Sequence, residues 1–207
     1  MMAAESTVHI VDDDEAVRDS LSALLESMGF TVATYDSAEA FLAAPAASGS
    51  CIVVDVRMPG MGGLELQEEI ARRGSRIPVI VMTGHADVSL AVRAMKAGAF
   101  DFVEKPFDET ALVGAIRRAC DLGREVARSV AAGTALRERL ALLTPREREV
   151  LDALVAGKAN KIIAYELSIS PRTVEIHRAR VMEKMQARTL ADLVRMTLTS
   201  QMRPKSD

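Results

Sequence analysis

The stretch Cys51-Ile52-Val53-Val54-Asp55-Val56-Arg57-Met58-Pro59-Gly60 constrains this chain more than any other. Its apolar, largely β-branched start reads as a strand buried on both faces, as at the centre of a parallel sheet. An unpaired carboxylate inside such a strand is costly, so Asp55 belongs at the C-terminal end, where the chain surfaces. Pro59-Gly60 then marks a turn. In open α/β sheets that edge is where ligands bind. A lone Asp there also suits a turn or a helix cap. The other residues predicted to reach that edge decide between the two readings.

Short apolar runs alternate with helical patterns through the first half, which predicts βαβ units. Strands are expected at 8–11, 31–35, 51–55, 79–82 and 100–103. Between them, residues 14–28 carry an apolar stripe (Val17, Leu21, Leu24, Leu25, Met28) closed by Gly29. Further helices are expected at 37–44, capped by Ser37, near 64–73, at 86–97 before Gly98, and from about 108. With right-handed crossovers this is a doubly wound five-stranded parallel sheet of the flavodoxin-like kind. Trp is absent and aromatics make up 3% of the chain, so the core must be aliphatic.

Each predicted strand except the second runs into a polar group: Asp12-Asp13-Asp14, Asp55, Thr83 and Glu104-Lys105-Pro106. Parallel strands end on one edge, so Asp12, Asp13, Asp55, Thr83 and Lys105 should line one pocket. Clustered carboxylates repel one another unless a cation sits among them. Oxygen donors suit Mg²⁺, which takes one or two carboxylates, keeps several waters and also binds phosphate. Lys105 can hold a phosphoryl oxygen and the Thr83 hydroxyl can donate to another. The set is equipped to phosphorylate a carboxylate. Gly60, Gly62 and Gly63 follow no strand directly into a G-x-G-x-x-G pattern and read as a turn. His9 reads as a packed core residue and His85 as surface loop.

Charge divides the chain. Residues 1–122 hold 10 Lys/Arg against 19 Asp/Glu, whereas 123–207 hold 16 against 10. The basic half suggests a polyanionic partner. Thr144-Pro145-Arg146-Glu147 is a strong helix start, with a Thr cap, Pro at the first position and Glu three residues on. That helix should reach Ala156 and stop at Gly157. A short helix at 161–167, the turn Ser168-Ile169-Ser170 and a Ser-Pro-started helix to Met185 make a helix-turn-helix pattern, followed by a last helix at 190–198. Unrolling the helix after the turn at about 100° per residue puts Val174, His177, Val181 and Met185 on a buried stripe. Arg172, Glu175, Ile176, Ala179 and Glu183 face outward, with Thr173 and Arg180 on one flank and Arg178 on the other. Such a face suits the DNA major groove, its basic flanks on phosphates. His177 reads as a structural pin.

Two family resemblances follow from these motifs. The acidic pair Asp12-Asp13, Asp55 before Met58-Pro59-Gly60, Thr83-Gly84, Phe102 and Lys105-Pro106 resemble a response-regulator receiver domain. The resemblance implies that Asp55 accepts a phosphoryl group from a sensor histidine kinase, with Asp12, Asp13, Asp55 and the Arg57 backbone carbonyl holding Mg²⁺. It also implies that Thr83 and Phe102 act as a coupled switch and that Pro106 is cis. Leu143-Thr144-Pro145-Arg146-Glu147, Asn160-Lys161, Ile169-Ser170 and Thr173-Val174-Glu175-Ile176-His177 resemble the LuxR/FixJ-type DNA-binding domain. That likeness implies that Lys161 contacts phosphate and that the final helix pairs two protomers on DNA. Ile162 replaces the polar residue usual after Asn-Lys, and Glu175 stands where a basic residue is common, so no operator sequence carries over.

The whole chain thus resembles a two-component response regulator of the FixJ/NarL family. The expected division is a receiver at 1–122, a partly helical linker at 123–139 interrupted at Gly123 and Gly133, and an all-α four-helix helix-turn-helix domain at 140–207. Phosphorylation is expected to relieve inhibition and promote homodimerisation on double-stranded DNA, with RNA polymerase a further candidate partner. The alternative is a receiver whose C-terminal helices bind protein or RNA. A phosphatase of the haloacid-dehalogenase type needs a second acid two residues after its nucleophile, where this chain has Arg57, so no enzyme is expected. Cys51 and Cys120 form no framework or metal spacing. With no basic-then-apolar leader at Met1 to Thr7 and no run long enough to span a bilayer, the expected compartment is the cytoplasm.

Overall fold

The computed structural model describes residues 7–44, 51–84 and 88–201, the last three as backbone. The chain divides into two units, Met1–Arg128 and Ser129–Asp207. The first contains β1 (Thr7–Val11), α1 (Glu15–Ser27), β2 (Thr31–Tyr35), α2 (Ala38–Ala43), β3 (Cys51–Asp55), α3 (Gly63–Arg72), β4 (Val79–Thr83), α4 (Val88–Lys96) and β5 (Asp101–Glu104), followed by α5 (Glu109–Ala141). The predicted start of α4 at Ala86, and His85, lie outside the described residues.

The strands form one sheet in the order β2-β1-β3-β4-β5, and every neighbouring pair is parallel. β3 is central, with all five of its residues buried. Side chains leave a strand alternately to its two faces, so each interior strand feeds two cores. On one face Ile10, Val53, Ile80 and Met82 pack with Leu21 and Leu25 of α1 and with Leu112 and Ile116 of α5. On the other, Val11, Ile52, Val54 and Val81 pack with Phe41 of α2, Leu66 and Ile70 of α3 and Ala94 of α4. Burying each Leu, Ile or Val contributes about 1.5–3 kcal/mol, so the sheet rests on aliphatic carbon as the composition requires. His9 is in the core: its Nδ1 lies 3.2 Å from the Tyr35 hydroxyl, its ring meets Phe41 edge-on, and burial lowers its pKa.

α5 differs from the expectation of an interrupted linker, for it runs unbroken through Gly123 and Gly133. Each helical Gly costs only about 1 kcal/mol relative to Ala, and the flanking Ala, Arg, Glu and Leu residues are strong helix formers with no Pro among them. Gly123 is buried within this helix.

The second unit holds α6 (Pro145–Val155), α7 (Asn160–Glu166), α8 (Pro171–Met185) and α9 (Leu190–Gln201). Val150, Leu151, Leu154, Ile163, Val174, Val181, Met185 and Leu193 form its core, joined by Leu136 from α5. The Thr144 side chain accepts from the Glu147 N–H, and Glu147 accepts from the Thr144 N–H at 2.9 Å, a reciprocal cap. Glu147 also accepts from the Lys184 Nζ at 2.6 Å, and Lys184 donates to the Leu142 carbonyl at 3.1 Å. The start of α6 is thereby tied to the end of α8. Ser170 caps α8 by accepting from the Thr173 N–H at 3.0 Å, and Ser168 turns the chain with a φ of 52°.

The Lys184 and Thr144 hydrogen bonds hold the Glu147 pKa down to about 2, from 4.5. A depressed carboxylate stabilises the fold above its unfolded pKa, and that stability is lost as pH falls through the folded value. The stability advantage of the wild type over Glu147→Gln should therefore be full above about pH 4.5 and shrink toward pH 2. Chemical unfolding of both chains across that range, followed by circular dichroism, checks this. A gap independent of pH would remove the ion pair as its source.

Candidate functional site

The C-terminal edge of the sheet gathers the predicted pocket. Val11 is level with Val54, so Asp12 and Asp55 leave adjacent strands side by side. Asp55 is level with Met82 and Thr83 with Glu104, and the Lys105 N–H donates to the Thr83 carbonyl at 2.7 Å. Lys105 comes back over the edge: its Nζ is 2.7 Å from Asp12 Oδ2 and 2.7 Å from Asp55 Oδ1. The Asp12 side chain is 2% exposed and that of Asp55 is 11%. Burial disfavours the charge on Lys105, but its hydrogen bonds to Asp12 and Asp55 outweigh that and leave its pKa raised. One ammonium thus serves two buried carboxylates, and the group of three keeps an excess negative charge.

The remaining oxygens are held by backbone. Asp55 Oδ2 accepts from the Arg57 N–H at 2.6 Å, and Asp12 Oδ1 from the Asp14 N–H at 3.0 Å. Asp14 is the cap of α1, accepting from the Ala16 N–H at 2.9 Å. Asp13 is exposed beside them, whereas Thr83 is buried. Phe102 is half-buried against the core on the α3 and α4 side, level with Val81 on β4. The Lys105–Pro106 bond is cis.

Three positions at this edge were missed by sequence reasoning. A Cβ on Gly63 would lie 2.2 Å from the Asp55 carbonyl oxygen, so only glycine lets α3 start this close to the phosphoacceptor candidate. Its neighbours in sequence mark a turn, and nothing there reveals the close approach. Glu39 of α2 accepts from the Met61 N–H at 3.2 Å and so steadies the same loop. Arg18 Nη1 donates to the Asp12 carbonyl at 2.8 Å. Their sequence distances from Asp55 and Asp12 match no motif.

No group of three or more His, Cys, Asp or Glu among the described residues is gathered for metal binding. The buried Asp12 and Asp55 carboxylates are compatible with Mg²⁺, which takes oxygen donors and commonly one or two carboxylates.

In the second unit, α8 presents the predicted face. Arg172, Glu175, Ile176, Ala179 and Arg180 are exposed, and Val174, Val181 and Met185 are buried. Thr173 is half-buried, and its hydroxyl sits 2.8 Å from that of Ser170 within the cap. His177 is half-buried, with a buried Nδ1 lacking a hydrogen-bond partner. Lys161 is exposed at the start of α7, followed by Ile162 at 50% and Tyr165 at 87% exposure. Tyr165 is a surface aromatic that the sequence reading passed over. The Arg146 guanidinium hydrogen-bonds the Leu167 carbonyl, holding α6 to the end of α7.

A parallel doubly wound sheet with a lysine-bridged aspartate pair at its edge, joined to a helix-turn-helix unit, defines a phosphorylation-controlled transcriptional regulator. Residues 8–117 match the response regulator receiver domain, and residues 141–197 match the bacterial regulatory proteins of the luxR family. The chain belongs to the response regulators that carry a LuxR-type domain, in the FixJ group. It is 54% identical over 202 residues to the transcriptional regulatory protein FixJ of Azorhizobium caulinodans, covering 97% of this chain and 95% of that one. It is 53% identical over 193 residues to FixJ of Rhizobium meliloti, covering 93% and 95%. Among solved structures, the response regulator StyR matches with a TM-score of 0.86 at 43% identity, covering 94% of this chain and 99% of that one. Full-length FixJ from B. japonicum matches at 0.57 and 47%, covering 98% and 100%. Among the described residues no helix is long and apolar enough to cross a membrane.

The charge arrangement predicts an asymmetry between substitutions. Lys105→Ala leaves two buried carboxylates facing each other and should cost roughly 3 kcal/mol of stability, partly restored by millimolar Mg²⁺. Asp55→Asn leaves Asp12 and Lys105 as a neutral pair and should cost less than half of that. Chemical unfolding of the full chain measures both. If Asp55→Asn proved the more damaging, the repulsion argument would be wrong.

Proposed function

We propose that Asp55 is the phosphoacceptor of a receiver spanning residues 1–122, joined through 123–139 to a DNA-binding domain at 140–207. The observation that carries this is Lys105 Nζ at 2.7 Å from both Asp12 and Asp55. An ammonium so placed is within reach of an oxygen of any phosphoryl group arriving on Asp55. A carboxylate oxygen of Asp55 attacks phosphorus, the bond to the donor breaks, and the donor's imidazole leaves with the electron pair. Lys105 then follows the new anionic oxygens, and the Thr83 hydroxyl turns toward them as a donor. Asp12, Asp13, Asp55 and the Arg57 carbonyl would hold Mg²⁺, which when bound neutralises phosphoryl charge. The position two residues after Asp55, where an aspartyl-phosphate hydrolase carries a second acid, is Arg57, which supports a switch rather than an enzyme.

Movement of Thr83 gives Phe102 space to turn inward, remaking the surface of β5 and α4. On α4, Val88, Val92 and Met95 are exposed apolar residues that support pairing of two phosphorylated copies there. Relief of inhibition and DNA binding follow, with a sensor histidine kinase upstream and RNA polymerase a further partner, in the cytoplasm where the DNA lies. On DNA, Glu175, Ile176 and Ala179 read bases: Glu accepts from a cytosine amine, and Ile and Ala touch thymine methyls. Lys161, Thr173 and Arg180 hold phosphates, and Arg172 stands on the same exposed DNA-facing side as Glu175.

Incubation with Mg²⁺ and acetyl phosphate should yield a single phosphoryl adduct by intact mass, absent from Asp55→Asn. A stoichiometric adduct in that variant would end the assignment.

On the DNA side, Glu175→Ala should relax preference at one half-site position by about 1–3 kcal/mol. Arg180→Ala should weaken all sequences alike and lower the salt slope by about one unit. Binding selections at several salt concentrations separate the two. The reverse pattern would mean that α8 enters the groove at another rotation.

A further inference from the structure

Inside the first unit two sulfurs face each other. Cys51 opens β3, Cys120 lies on α5 69 residues later, and their Sγ atoms are 3.4 Å apart. Both thiols are free and buried, at 0% and 2% exposure. Both belong to the aliphatic core cluster that also holds Val8, Ile10, Val53, Ile116 and Ala119. A lone buried thiol in such a place acts as a small apolar side chain. Two in mutual contact are separated from a covalent bond only by the loss of two electrons. A metal centre does not fit, because structural thiolate sites take four ligands and no third His, Cys, Asp or Glu joins this pair among the described residues.

We propose that Cys51 and Cys120 form a modification site at which a hydroperoxide joins them in an intramolecular disulfide, tying the first residue of the Asp55 strand to α5. A disulfide needs sulfurs about 2.0 Å apart, so from 3.4 Å the pair must close by about 1.4 Å on bonding. Cys120 is the attacking sulfur. A hydrogen bond with Cys51 lowers its pKa against the opposing effect of burial, and the charge of Arg124, one turn on, helps to lower it, whereas the contact with Cys120 and burial both raise that of Cys51. Asp121 opposes this and is itself paired with the Arg124 guanidinium.

In the first step the Cys120 thiolate attacks the hydroperoxide oxygen, the O–O bond breaks, and the departing oxygen leaves with a proton as alcohol or water. Cys120 is then a sulfenic acid. The Cys51 sulfur attacks it, the S–S bond forms, the S–O bond breaks, and the hydroxide leaves with the Cys51 proton as water. Two thiols have lost two electrons and two protons to the oxidant. Burial restricts the reaction to small oxidants, which is why a hydroperoxide is the class named.

The test treats the folded full chain with hydrogen peroxide, then denatures it and labels free thiols with a maleimide. Two labelled thiols should fall to none, in a monomer lighter by two hydrogens whose digest yields a peptide joined through Cys51 and Cys120. Dithiothreitol should restore both. Cys51→Ala and Cys120→Ala should each keep the fold by circular dichroism and give no such bridge. If the wild type keeps both thiols, acquires sulfinic or sulfonic acids instead, or bridges mainly between chains, the pair is only a packing contact. None of these readouts depends on the phosphorylation of Asp55.

Discussion

A single ammonium between two buried carboxylates sets the terms for the first unit. Lys105 cannot neutralise both Asp12 and Asp55, so the edge of the sheet keeps negative charge in a place from which water is largely removed. Such an arrangement costs stability unless something positive joins it, and it favours a divalent cation there. The rest of the unit exists to hold those three side chains. Two aliphatic cores on opposite faces of β3 fix the strand. Gly63 lets α3 abut the Asp55 carbonyl, and the Arg57 N–H fixes the second carboxylate oxygen. In the proposed function, a phosphoryl group at Asp55 changes the charge that Lys105 balances, and that change is the signal.

The second unit follows a different logic. A reciprocal cap at Thr144 and Glu147, extended to Lys184, fixes the start of α6 to the end of α8. That anchoring leaves Arg172, Glu175, Ile176 and Ala179 pointing away from the core. Glu147 is thus a carboxylate in structural use, fully compensated, whereas Asp55 is incompletely compensated and available for chemistry.

Much of this was legible in the sequence because it depends on period and spacing. The five strands, the apolar stripe of α1 and the Ser-Pro start of α8 are local patterns, and strand-end polar residues of a parallel sheet must share an edge. What stayed hidden depends on distance across the fold. The close approach of Gly63 to Asp55, the Glu39 and Arg18 backbone contacts, and the meeting of Cys51 with Cys120 arise from how helices seat on the sheet, which no periodicity encodes. The linker was misjudged for a related reason: two glycines were weighed as breakers, whereas a long run of strong helix formers carries α5 through them. Tyr165 was overlooked because exposure of an aromatic residue on a short helix becomes visible only once the buried face is known.

The central claim is that charge added at Asp55 is felt by the DNA-binding face. It is tested most directly by the affinity of the full chain for DNA fragments selected by its phosphorylated form, measured with and without acetyl phosphate at one Mg²⁺ and salt concentration. Coupling of the usual size, about 1–3 kcal/mol, predicts a gain of roughly 5- to 150-fold on phosphorylation, abolished in Asp55→Asn. Equal affinity in both states, or a gain that survives Asp55→Asn, would contradict the account.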